Sequence, residues 1–314
     1  MRTLIIGATG YLGSHLTRHL VGSGHLVDAF IRRESAAPLV RGLGAQPVVG
    51  SLAEPDSLAA SIEAADAVIF AAQLMFDEER QVVAALLESM AGTGKTFIFT
   101  GGTSLLSKGT DGDWDEDSFA EDDPFEPRRQ IAPRLAVEQM VRAAAGRGVR
   151  AMCVRPSLVW GHGGSQILRE FYHAAHGTGN VCYVGRGLNV YSSIHVDDLA
   201  EIYRLMLERG VAGALYHAVS GETGFGALAR EIARQLGVGT RSVTVDEACN
   251  IWDRFTARIV LSSCSRSRAP RTRTELGWRP QADRLDICSD LAHPDYLNAG
   301  ARVAPSWVGT PARS

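Results

Sequence analysis

No charge of one sign dominates this chain. Its formal net charge is −3 over 314 residues, so neither nucleic acid nor an anionic membrane surface is expected as a partner. No apolar run reaches the ~20 residues that a membrane-spanning helix needs. The first strand-like segment begins at about Arg2, which leaves no room for a secretory leader. A soluble, cytoplasmic protein is the expectation. The cysteines, Cys153, Cys182, Cys249, Cys264 and Cys288, are odd in number, far apart and without a Cys-x-x-Cys pair. That spacing suggests neither a disulfide framework nor a zinc site, and reduced, mostly buried thiols are expected. His15 and His19 stand four apart on the first helix, but no third ligand follows them, so a solvent-facing surface and no metal are expected. No internal repeat is present.

What the chain does have is a glycine turn in the right setting. Leu4-Ile5-Ile6 reads as a buried strand and Ser14 to Leu20 as the first helix, with Gly7-Ala8-Thr9-Gly10-Tyr11-Leu12-Gly13 between them. Gly7 permits a tight turn, Gly10 lets the backbone approach a pyrophosphate, and Gly13 lets the helix pack on the strand. The helix N-terminus offers free N–H groups and positive potential. A dinucleotide is expected here. The next strand, about Leu26 to Ile31, ends in Arg32-Arg33, about twenty residues on, where NAD-preferring enzymes of this fold place an acid. Asp28 comes too early to serve. A guanidinium fork suits a 2′-phosphate, so the expected cofactor is NADP.

Four motifs carry a resemblance. They are Gly-x-x-Gly-x-x-Gly with Thr9 inside it, Arg155-Pro156-Ser157-Leu158-Val159-Trp160-Gly161, His195-Val196-Asp197-Asp198, and Leu276-Gly277-Trp278-Arg279-Pro280. Together the chain resembles, over roughly residues 2 to 282, the extended short-chain dehydrogenase/reductase family, also called the NAD-dependent epimerase/dehydratase family. The resemblance implies an α/β fold with a Rossmann-type doubly wound parallel sheet and a smaller α/β substrate domain. Residues 1–155 would form the NADP-binding domain. Residues 156–290 would be mainly substrate-binding, crossing back once into the sheet. Residues 296–314, rich in Ala, Gly, Pro and Ser, read as a loose tail.

Cofactor contacts are implied for Gly7, Thr9, Gly10, Tyr11, Leu12 and Gly13, for Arg32 and Arg33, and for Ser51 and Leu52, where the family usually has Gly-Asp-Leu against adenine. They are implied also for Ala71, Ala72 and Gln73, for Thr100, and for Pro156, Ser157 and Leu158 beside the nicotinamide carboxamide. A homodimer through the helix from Asp77 to Met90 and the one after residue 130 is implied by resemblance alone. The family's hydroxyl after the fifth strand falls on Gly102, leaving Thr103 or Ser104 to serve. Its Tyr-x-x-x-Lys pair falls on Gln130 and Arg134, and no Tyr occurs between Asp111 and Arg155. An amide cannot act as an acid near neutral pH, although Arg134 can still donate to ribose hydroxyls.

The acid-rich stretch Asp111 to Asp123 is expected to be a solvated loop, and the arginines from Arg266 to Arg273 a solvated basic stretch. The first functional expectation is an NADP-dependent oxidoreductase acting on a small carbonyl or enone metabolite. The alternatives are a redox-neutral isomerase, epimerase or cyclase, and a non-catalytic NADP-binding sensor.

Overall fold

The computed structural model describes residues 1–299. β1 (Arg2–Ile6) hides Leu4, Ile5 and Ile6 completely, and a strand covered on both faces must satisfy its backbone groups through neighbours on either edge. On one edge runs β2 (Leu26–Ile31), with β3 (Gln46–Val49) beyond it; on the other runs β4 (Ala67–Phe70), then β5 (Thr96–Thr100). After the short β6 (Lys108–Gly109), β7 (Arg150–Pro156) rejoins the sheet beside β5. β8 (Leu158–Trp160), β9 (Asn180–Val184) and β10 (Val190–His195) lie outside it, and β11 (Leu215–Ala218) returns to pair with β7. β12 (Gly221–Gly224), β13 (Gly239–Val243) and β14 (Ser263–Cys264) complete the strands among the described residues. The seven-stranded sheet has the order β11-β7-β5-β4-β1-β2-β3, and every pair in it is parallel. Strand order reverses at β1 and β4, which opens the crevice where ligands of open α/β sheets bind.

Helices cover both faces, as a parallel sheet requires. α1 (Tyr11–Gly22) and α2 (Ala37–Gly42) bury Leu16, Leu20 and Val40 on one face. α3 (Ala59–Ala64), α4 (Phe76–Ser89) and α5 (Ala132–Ala143) bury Ile62, Val83, Leu87, Val137 and Val141 on the other. α6 (Gln166–Thr178) belongs to a second core around Phe171, Phe225 and Trp252, whereas α7 (Val196–Arg209) packs beside α1 on the sheet. α8 (Phe225–Leu236) and α9 (Val245–Ile251) extend the second core. α10 (Pro270–Glu275) lies against β11, and α11 (Pro294–Leu297) lies against α6. No helix among the described residues is long and apolar enough to cross a membrane.

The Arg155-Pro156 motif ends a strand: β7 continues through Pro156, because β11 arrives to pair Ala218 with it. Two expectations are corrected here. The chain is not loose from residue 296. Tyr296 is fully buried and stacked on Tyr172 at 5.3 Å. Its hydroxyl donates to Asp290 Oδ2 at 2.9 Å and accepts from Ser165 N–H at 3.0 Å. Residues 300–314 lie outside the described residues.

Second, the acid-rich stretch and the arginine cluster are not two separate solvated faces, since each neutralises the other. Arg268 pairs with Asp123 at 2.7 Å and Arg271 with Asp122, while Arg266 lies 4.6 Å over the Trp114 ring. Glu121 is buried, accepting from the backbone N–H of His217, Arg271 and Thr272 at 3.4, 3.3 and 3.2 Å.

Candidate functional site

The glycine turn sits at the carboxyl end of β1, with each glycine constrained by something different. Gly7 has φ +101, and a Cβ there would lie 2.7 Å from the Ala71 carbonyl carbon and the Ala72 nitrogen. A Cβ on Gly13 would lie 2.0 Å from the Gly7 oxygen, so helix and turn can touch only through glycine. Gly10 is exposed and meets no atom nearer than the Gly7 oxygen at 3.4 Å. Protein packing therefore does not forbid a side chain at Gly10, whereas close approach of a ligand would. Gly10 caps α1 without a side-chain bond, and the first turn of the helix carries no acid. The free N–H groups at the start of α1 and the helix dipole thus remain open to an anion, and a pyrophosphate fits that cradle. The Tyr11 side chain is otherwise engaged: its hydroxyl donates to the Gly161 carbonyl at 2.6 Å, and its ring covers Gly164. Thr9 is exposed and Leu12 half-buried at the same rim.

At the outer end of the crevice, Arg32 and Arg33 project from the end of β2, exposed, and among the described residues neither forms an ion pair with an acid. Asp28 is spent elsewhere, holding the Arg2 guanidinium at 2.6 and 3.2 Å. Ser51 is engaged in its own turn: its Oγ accepts from Ala53 N–H at 3.3 Å, and its N–H donates to Ser57 Oγ at 3.0 Å. Leu52 packs into the core under it. Ala71 and Ala72 are half-buried against Gly7, and Gln73 is exposed at the rim.

At the inner end, Thr100 Oγ1 shares a 2.6 Å hydrogen bond with Tyr203 OH. Thr103 and Ser104 part company. Thr103 is buried, its hydroxyl without a partner, and its carbonyl accepts from Ser265 Oγ at 2.8 Å. Ser104 is half-exposed, and its Oγ lies 3.7 Å from where a Cβ on Gly102 would stand. Pro156, Ser157 and Leu158 are buried, with Ser157 Oγ donating to the Ala218 carbonyl at 2.9 Å, so the Ser157 hydroxyl is already engaged.

Gln130 is exposed just before α5. Within the first turn of the helix, Arg134 Nη2 donates to Glu79 Oε2 at 3.1 Å, while Arg134 Nε and Glu79 Oε1 are buried with no partner. Burial pushes the Glu79 carboxyl up, with Arg134 opposing. Glu79 was not legible beforehand: it ends the run Asp77-Glu78-Glu79, ordinary acids at a helix start. Three phenols elsewhere in the chain, Tyr172, Tyr191 and Tyr203, are buried. Tyr172 donates to the Leu291 carbonyl, Tyr203 holds Thr100, and burial pushes both upward. Tyr191, stacked on Phe225, is pushed to about 12 by burial.

A parallel sheet with a helix-opening glycine turn at its switch point defines a Rossmann-type α/β protein. More narrowly, the chain belongs to the NAD dependent epimerase/dehydratase family, whose model matches residues 3–219. It is 31% identical over 311 residues to an uncharacterized protein of Saccharomyces cerevisiae, covering 95% of this chain and 100% of that one. It is 29% identical over 238 residues to a 4-hydroxy-2-methyl-3-oxo-4-farnesyl-3,4-dihydroquinoline-1-oxide ketoreductase of Stigmatella aurantiaca, covering 70% of this chain and 69% of the relative. Among solved structures it is similar to dTDP-glucose 4,6-dehydratase of Bacillus anthracis in complex with NAD. The TM-score there is 0.74 at 16% identity, covering 94% of this chain and 95% of the other, a likeness of fold.

Proposed function

We propose that this protein is an NADP-dependent oxidoreductase that reduces the carbonyl of a small ketone or enone metabolite. The observation that carries the cofactor half is the free pair Arg32 and Arg33, at the strand end where a 2′-phosphate would lie, with Asp28 tied to Arg2. The ketoreductase among the relatives supports the carbonyl substrate.

The cradle would hold the pyrophosphate on the N–H groups of α1. The unpartnered Arg134 Nε–H and Glu79 Oε1 suit a ribose hydroxyl, which can accept from the first and donate to the second. Bound NADPH would supply the hydride. The chain orients the acceptor carbonyl through the Ser104 hydroxyl and the Gln130 amide, and neither group ionises near neutral pH. The proton therefore comes from water at the exposed mouth where Gln130 stands. A homodimer through α4 and α5 belongs to the same reading.

The absent Tyr and Lys favour a second reading, a redox-neutral isomerase or epimerase that retains the nucleotide. Calorimetry with NADPH and NADH, followed by a panel of small ketones with absorbance at 340 nm, separates the two. NADPH preference with steady consumption on a ketone is the expected result. NADPH bound but never consumed while the substrate rearranges would establish the second reading, and equal affinity for NADH would remove the NADP assignment.

A further inference from the structure

Next to the glycine turn, where α7 packs beside α1, three side chains from three distant parts of the chain converge. His15 lies on the second turn of α1, His162 in the turn after β8, and Asp197 at the start of α7. We propose that His15, His162 and Asp197 form a site for one divalent transition-metal ion of the zinc type.

Their ligand atoms all lie within 4.8 Å of one another. His15 Nδ1 is 3.2 Å from Asp197 Oδ1, and His162 Nε2 is 2.9 Å from Asp197 Oδ2. The two imidazoles are stacked, centroids 4.8 Å apart and 25° from parallel, so both present a nitrogen edge to one carboxylate. Two imidazoles and a carboxylate, with a fourth position left to water, are a donor set that zinc accepts at about 2.0–2.2 Å. Without metal, each of these nitrogens must carry the proton to hydrogen-bond the carboxylate. With metal, the proton moves to the other ring nitrogen and the lone pair faces the ion.

The backbone under His162 is the second observation. His162 has φ 52, between Gly161 at φ 115 and Gly163 at φ 68. A left-handed position between two left-handed glycines favours glycine, yet a histidine stands there. Core packing does not account for it, because the side chain is 51% exposed, against 29% for Asp197 and 14% for His15. The turn is rigidly held: buried Asp290 accepts from the N–H of Gly161 and Gly163 at 3.2 and 3.1 Å, and from Tyr296 OH at 2.9 Å. His195 is no ligand. Its Nδ1 accepts the Asp197 backbone N–H at 3.2 Å, and its ring packs edge-on against His162 at 5.3 Å. The Tyr11 ring closes the cluster edge-on to His15 at 5.4 Å. An ion here would tie α1, just below the pyrophosphate cradle, to the turn after β8 and to the start of α7. This proposal is independent of the nucleotide preference and of the reaction.

The test is calorimetric titration of the chelator-treated full chain with zinc chloride, accompanied by melting curves. One zinc per chain is expected, with a melting temperature raised by the ion. His162→Gly should weaken zinc binding at least tenfold, yet leave the metal-free melting temperature unchanged or higher, because glycine relieves the backbone at residue 162. Asp197→Asn should weaken binding similarly, and His19→Gln, one turn along α1 and paired with Glu201, should not. If the wild type takes up no zinc, or if His162→Gly binds it as tightly as the wild type, the site does not exist. His162→Gly decides the matter alone should Asp197→Asn fail to fold.

Discussion

Two arginine–glutamate pairs meet on the same helix, one turn apart, and they are built differently. Glu138 of α5 takes Arg155 in a bidentate fork, Nε and Nη2 both at 2.7 Å, with both side chains almost wholly buried. The Phe125 ring lies 4.8 Å from the same guanidinium, and His217 Nε2 accepts from its Nη1 at 3.4 Å. Arg134, also on α5, makes one bond to Glu79 and leaves a buried donor and a buried acceptor unused. A satisfied buried pair has nothing left to offer a ligand. A half-satisfied one is expensive to keep unless something else completes it. The contrast divides α5 into a turn whose buried charges are satisfied and a turn that keeps a buried donor and acceptor unused.

The largest effect is expected from breaking the satisfied pair. Arg155→Ala strands Glu138 in the core and should cost about 3–5 kcal/mol in urea denaturation; a loss below about 1 kcal/mol would put Arg155 with the open pair instead.

His217 is next. Burial first and Arg155 second hold its imidazolium down to about 4, and the neutral ring is already used, Nδ1–H donating to the Arg268 carbonyl at 3.0 Å. The unfolded chain takes up this proton below about pH 6.5 and the native state only below about 4. Stability from this group is therefore complete above pH 6.5 and falls by about 3 kcal/mol as the pH drops toward 4. His217→Gln should flatten the stability profile over that interval, and an unchanged slope would contradict the burial argument.

Arg32, with no acid partner, is the far end of the same scale. Arg32→Ala should leave folding untouched and weaken NADPH about ten- to a hundredfold, as expected for lost bonds to a charged group, with NADH unaffected. The smallest change belongs to the open pair. Arg134→Ala should weaken nucleotide binding about tenfold at a stability loss near 1 kcal/mol, since Glu79, already pushed upward, can take a proton once its partner is gone. Equal stability losses in Arg134→Ala and Arg155→Ala would abolish the distinction between the two.

What the sequence alone determined was local. Strand β1, the glycine turn and α1 follow from apolar runs and from glycines whose roles are fixed within a dozen residues. The Arg32-Arg33 pair was legible because it ends the very next strand. Local too are the Ser165 cap of α6, accepting from Leu168 N–H at 3.4 Å, and the left-handed Gly237 that ends α8. Tertiary structure alone decided which residues meet across the chain. Glu79 reaches Arg134 because α4 and α5 lie side by side on the sheet. Glu121 is buried because α10 and β11 deliver N–H groups to it, and a composition count could see there only a run of acids. His15 finds Asp197 because α7, 182 positions later, returns to the face that α1 already covers. Periodicity and capping act over one or two turns, whereas a buried or clustered polar group is settled by crossovers that carry no mark in the sequence near either partner.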